Sequence, residues 1–232
     1  MPDISVGCRP LVNETEFVEL LRATERAFHQ SDVKRLAEQK QAQWYYAVCA
    51  TRIESCRTLV IGFNWGARKG ENYTPQDMIP EDNFLDLAEK GWLGSMVRIL
   101  PFLQRYLDNE VLHSLGQSNY CFFRSESQQQ ISPRDIDLCK PLFHKFLEIV
   151  HPSRILCFSS LLRKHLHDTD SIADILQSDP IAFKRGNRNS NFIAEKALFR
   201  ISKESVPILF LPHPNYPMSI MARKRAWQFC LH

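Results

Sequence analysis

Short apolar runs alternate along this chain with longer stretches of helical spacing. Thr58 to Phe63, Gln117 to Phe123, Arg154 to Phe158 and Val206 to Leu211 are compact and apolar, the pattern of strands buried on both faces. Asn13 with Glu16 resembles a capping box. The recurrence of Phe17, Leu20, Leu21 and Phe28 then predicts a helix to about His29. Val33 to Ala50 reads as a second helix with Leu36, Trp44, Tyr45 and Val48 facing inward. Leu93 to Leu112 places Met96, Ile99, Leu100, Leu103 and Leu107 on one side, with a bend expected at Pro101. Ser132-Pro133 is a helix start, and that helix runs to Val150. Leu161 to Leu166 and Ile220 to Cys230 complete the helical stretches.

Strands that alternate with helices imply an α/β fold with a parallel sheet and helices on both faces. The expected architecture is three-layer α/β/α around a central, mostly parallel four-stranded sheet. One domain over 1–232 is expected, with N-terminal helices within 1–56 packed on a core of 57–232. Ala67 to Asn83, with two prolines and two asparagines, reads as a long loop of the kind that is usually functional or mobile. Asp168 to Ser202 reads as a polar segment containing a basic, flexible loop, Lys184 to Asn191.

Three strand-like runs carry polar clusters: Gly62-Phe63-Asn64-Trp65-Gly66, Asn119 within Ser118 to Arg124, and His213-Pro214-Asn215. In a parallel sheet such clusters meet at one edge, where α/β enzymes place their chemistry. Together they offer two carboxamides and an imidazole. A carboxamide presents a donor beside an acceptor, suited to reading a nucleobase edge, and an imidazole can stabilise an anionic leaving group. No nucleophile stands out.

On these residues the chain resembles the uracil-DNA glycosylase superfamily. Gly62 to Gly66 is similar to the first motif of its mismatch-specific and single-strand-selective branches, with Trp65 where proline is usual. Asn119 resembles the base-reading asparagine, and His213-Pro214-Asn215 the His-Pro-Ser of the last motif. The stretch from Cys139 to Ser159 is similar to the family's helix and third strand, so the likeness spans about residues 57 to 225. The resemblance implies excision of uracil or a related deaminated base from DNA, without metal or cofactor. His213 would stabilise the leaving base and Asn64 would position water. Asn119 would read the pyrimidine edge, in a pocket with Gly62 and Phe63.

A flipped base also needs an aromatic platform, and Gln76 and Asp77 occupy the positions where the family supplies one. Phe84 or Tyr73 is expected to substitute. Asn215 and an apolar wedge, Met218 or Ile220, would meet DNA, and Arg223, Lys224 and Arg225 would meet phosphates at a helix start. The alternative is a catalytically inactive nucleic-acid or nucleotide binder of the same fold.

Charged residues at 24% and hydrophobic ones at 44% are ordinary for a globular protein and exclude disordered and fibrous classes. A formal charge of +3 is compatible with a polyanion partner without requiring one. No stretch reaches the roughly 18 unbroken apolar residues of a membrane span, and Met1 to Leu20 has no signal-peptide pattern. An intracellular, monomeric protein with no membrane partner is expected. Seven cysteines without a Cys-x-x-Cys pair fit reduced thiols better than a disulfide framework or an iron–sulfur cluster.

Overall fold

The structure, a computed structural model, describes residues 13–53, 58–186, 188–201 and 204–232. Cys8, Cys56, Asn187 and Ser202 therefore lie outside the described residues. Helix α1 (Glu14–His29) starts at Asn13, whose side chain accepts from the Thr15 N–H. Helix α2 (Asp32–Gln39) starts at Ser31 and ends far short of Ala50. Gln41 adopts φ 53°, and the chain then runs extended beside the second strand, bridging Tyr46 to Phe123 and Cys49 to Ser118. Trp44 and Val48 are buried as expected, but as part of a strap that covers a sheet edge.

Six strands form one sheet: β1 (Thr58–Gly66), β2 (Gly116–Ser125), β3 (Arg154–Cys157), β4 (Ile172–Arg185), β5 (Arg188–Ile201) and β6 (Glu204–Phe210). Their order is β2-β1-β3-β6-β5-β4. The expectation of four strands is corrected to six, and the sheet is mixed. β2, β1, β3 and β6 pair in parallel, whereas β5 and β4 extend the sheet antiparallel. The stretch read as polar and flexible is thus a long hairpin, with Gly186 at φ 59° beside the Arg185–Arg188 pair that closes it.

Period-two alternation in the parallel strands sets the layers. Leu59 and Ile61, Ile155 and Cys157, and Ile208 and Phe210 join one apolar cluster with α1, α2, α6 (Pro133–Val150) and α7 (Ser160–Asp168). Val60, Leu156, Leu209 and Leu211 turn to the opposite cluster. That side holds α3 (Phe84–Glu89), α4 (Leu100–Tyr106), α5 (Asn109–His113) and α8 (Ile220–Leu231). The single bent helix expected over Leu93 to Leu112 is three pieces: a 3₁₀ turn over Gly94–Ile99, then α4 and α5. Pro101 sits in the first turn of α4, where its missing N–H costs nothing, so it starts a helix rather than bending one. Among the described residues no helix is long and apolar enough to cross a membrane.

Candidate active site

The connection from β1 leads outward to β2 and the later ones lead the other way, so the strand order reverses between β1 and β3. Open α/β sheets bind ligands at the carboxyl ends of strands at such a point. A cavity of about 610 Å³ lies there. Gly62 and Asn64 of β1, Asn119 of β2, Phe158 and Ser159 after β3, and His213 after β6 all line it. The three motif side chains therefore share one pocket.

Asn119 is buried and stands in register with Gly62. A Cβ at residue 62 would lie 2.5 Å from Asn119 Oδ1, so the carboxamide occupies the space that glycine leaves open. Among the described residues no group hydrogen-bonds the Asn119 amide, which leaves its donor and acceptor to the cavity.

The Asn64 amide is held differently. Its Nδ2 donates to the Trp65 carbonyl oxygen (3.0 Å) and to Ser125 Oγ (2.8 Å), while the Ser125 hydroxyl donates onward to the Ser127 carbonyl (2.8 Å). A carbonyl only accepts, so these bonds fix which end of the amide is the amino group. Among the described residues nothing donates to Oδ1, which remains an uncommitted acceptor. A register shift at this point re-aims the strand end: Asn64 pairs with Cys121 but Trp65 with Arg124. Trp65 is buried and donates its indole N–H to the Ala47 carbonyl of the edge strap.

His213 accepts the Asn215 backbone N–H at Nδ1 (3.1 Å). A neutral ring so held carries its proton on Nε2, which makes Nε2–H the donor. Desolvation, and then the nearby Arg223 charge, hold the imidazole pKa below its ordinary value of 6.5, which favours that neutral form. Arg223 itself is buried. It donates to the carbonyls of Pro212 (3.2 Å), His213 (3.0 Å), Pro214 (3.4 Å) and Tyr216 (2.8 Å), stitching the whole loop to α8.

Several assignments change. Phe84 is fully buried in the core and does not line the cavity, because it opens α3 with its ring packed inward. Tyr73 does line it, but its hydroxyl donates to Glu71 and its ring faces the Arg124 guanidinium at 4.5 Å. The most exposed aromatic of the wall is one the sequence reading missed: Trp92, 68% exposed, with Lys90 Nζ 5.2 Å from its ring centroid. It sits between Gly91 and Gly94, both at positive φ. An aromatic flanked by glycines after a loop of this length was the signal available.

Arg223 does not meet phosphates, since four carbonyls occupy it, and Arg225 pairs with Asp179 at 2.8 Å. Lys224 is exposed. Of the two wedge candidates, Ile220 is exposed, whereas Met218 packs against the core; Met221 is exposed beside Ile220. Asn215 is exposed and accepts from Arg98 Nη1 (2.8 Å), which ties the 3₁₀ turn next to Trp92 to the His213 loop.

Burial pushes the thiols of Cys49, Cys157 and Cys230 up to about 12, so none of these is a thiolate at neutral pH. Among the described residues, no group of three His, Cys, Asp or Glu side chains is placed to hold a metal ion. Comparison with known proteins brings no family model and no curated protein that matches this chain.

Proposed function

We propose that this protein is a DNA base-excision glycosylase that hydrolyses the N-glycosidic bond of uracil or a related deaminated base. The observation that carries this reading is the convergence of Asn64, Asn119 and His213 on one cavity, each with the atoms that the chemistry needs left free.

The glycosidic bond breaks towards a sugar with oxocarbenium character and a base that leaves as an anion, its charge shared with O2. His213 Nε2–H donates to that oxygen as charge develops. Asn64 Oδ1 accepts a hydrogen bond from water and aligns its oxygen with the anomeric carbon; an amide is a weak base, so it positions rather than deprotonates. The new carbon–oxygen bond forms as the carbon–nitrogen bond breaks, and the water proton leaves to solvent or to the departed base. Asn119 accepts from N3–H and donates to O4, a pattern that cytosine reverses. The extruded base stacks on Trp92, and Ile220 with Met221 fills the space it vacates.

An oligonucleotide with one uracil tests this directly, read by alkali-labile cleavage at that position. Cleavage is expected. His213→Ala should lower the single-turnover rate by about 10² to 10³, the usual loss for one oxyanion-stabilising donor. Asn64→Ala should lower it as well. Tight binding without any product from single- or double-stranded substrates bearing uracil or hypoxanthine overturns the enzyme and leaves a binder.

A further inference from the structure

The β4–β5 hairpin stands on the same side of the sheet as the cavity. β5 runs antiparallel to β6 and pairs Glu195 with Phe210, the last residue of that strand. The seven residues from Arg188 to Ala194, with their β4 partners Asp179 to Arg185, therefore continue past the carboxyl edge. At about 3.3 Å per residue the tip reaches roughly 20 Å beyond Phe210. His213 lies past the same point.

Packing fixes the hairpin against the His213 loop. The rings of Phe183 and Phe192 lie 5.7 and 5.5 Å from that of Tyr216, and Arg225 of α8 holds Asp179 of β4 through bonds of 3.0 and 2.8 Å. The free end carries Lys184, Arg185 and Arg188, all exposed. No Asp or Glu occurs from Pro180 to Ala194, and among the described residues none of the three cations has an ion-pair partner. Asn189, Ser190 and Asn191 add neutral hydrogen-bonding groups. Cations grouped on a braced β arm match a chain of regularly spaced negative charges better than a single small anion.

We infer that the β4–β5 hairpin is a nucleic-acid clamp in which Lys184, Arg185 and Arg188 engage backbone phosphates of the DNA strand whose base enters the cavity. The inference rests on the base-excision reading for the identity of the polyanion. Its measurable consequence is counterion release, which makes log K fall with log salt by about 0.9 per phosphate on duplex and about 0.7 on single strands.

The test measures fluorescence anisotropy of uracil-free labelled oligonucleotides, single-stranded and duplex, across a salt series. The K184Q/R185Q/R188Q variant should bind at least tenfold more weakly than the unaltered chain, with a slope shallower by about two units. Lys145→Gln, near the α6 end that leads to the opposite edge of the sheet, should change neither. A thermal melt checks folding. If the triple variant fails to fold, each single glutamine substitution should flatten the slope by about 0.7 to 0.9, and an unchanged slope in all three overturns the clamp. Absence of salt-dependent DNA binding by the unaltered protein overturns it outright. A protein that excises uracil but whose triple variant binds normally loses the clamp and keeps the enzyme, whereas one that excises nothing yet shows the flattened slope keeps the clamp and loses the enzyme.

Discussion

Single atoms left free or engaged decide what the cavity can do. Asn119 keeps both halves of its amide available because Gly62 has no side chain to press on it. Gly62→Ala should therefore turn the Asn119 amide rather than unfold the sheet, since the obstructed atom ends a short rotatable side chain. The expected outcome is a fall in kcat/KM of tenfold or more, with a thermal midpoint within a few degrees of the parent. Asn119→Asp should shift preference towards cytosine, because a carboxylate accepts from its amino group; unchanged selectivity in an active variant removes Asn119 from base reading. Trp92→Ala should weaken substrate affinity by about 1 to 3 kcal/mol if a base stacks there. That the two asparagines and His213 meet in one cavity was legible in the sequence because each lies in, or just after, a recognisable strand. The place of Trp92 on the cavity wall was not, because it lies beyond both the loop from Ala67 to Asn83 and helix α3, and no strand pattern points to it.

Elements position these atoms, and the loop after β6 depends on α8 through one side chain. Arg223 binds four carbonyls of that loop and lowers the His213 pKa through its charge. Arg223→Lys keeps the charge but loses the fork geometry, whereas Arg223→Met loses both. Both should slow excision. Only the methionine variant should also lose the through-space charge effect, moving the acid limb of the rate profile towards higher pH. Equal profiles would leave Arg223 a merely structural residue. The parallel strands and the helix from Ser132 to Val150 were readable because uniform apolar runs and a Ser-Pro cap leave few alternatives. The hairpin was hidden because β4 is largely exposed along its length, with no apolar stripe to betray it. In β5 the buried Phe192, Ala194, Ala197 and Phe199 did carry a signal, diluted by the charged residues among them. Residues 41 to 50 of the strap fit a helix in the sequence because their buried side chains suit either spacing, and backbone pairing with β2 decides the matter.

For the whole molecule, the cavity, the exposed Trp92, Ile220 and Met221, and the basic hairpin tip all lie at the carboxyl edge of one sheet, so ligand contact and folding draw on the same packing. Three histidines report on that packing. His144 and His165 have their pKa values lowered chiefly by desolvation, as does His213. Among the described residues His144 Nε2 is buried without a partner, and His165 Nε2 lies 3.2 Å from the Tyr120 hydroxyl. A folded-state pKa below the unfolded value of 6.5 means that the unfolded chain takes up a proton before the folded one does. Stability is therefore full above about pH 6.5 and declines as pH falls from there towards each folded pKa. The lowered carboxylates Asp32, Glu71 and Glu126 start from ordinary values of 3.8, 4.5 and 4.5, so their losses come at lower pH. Between about pH 6.5 and 5.5 the histidine contribution should dominate. The thermal midpoint should drop across that window, and His144→Phe should make the drop shallower, because it removes one proton uptake on unfolding along with an unpaired buried nitrogen. A midpoint that is flat with pH in the parent, or a steeper decline in the variant, would show that the buried imidazoles are not held neutral by the fold.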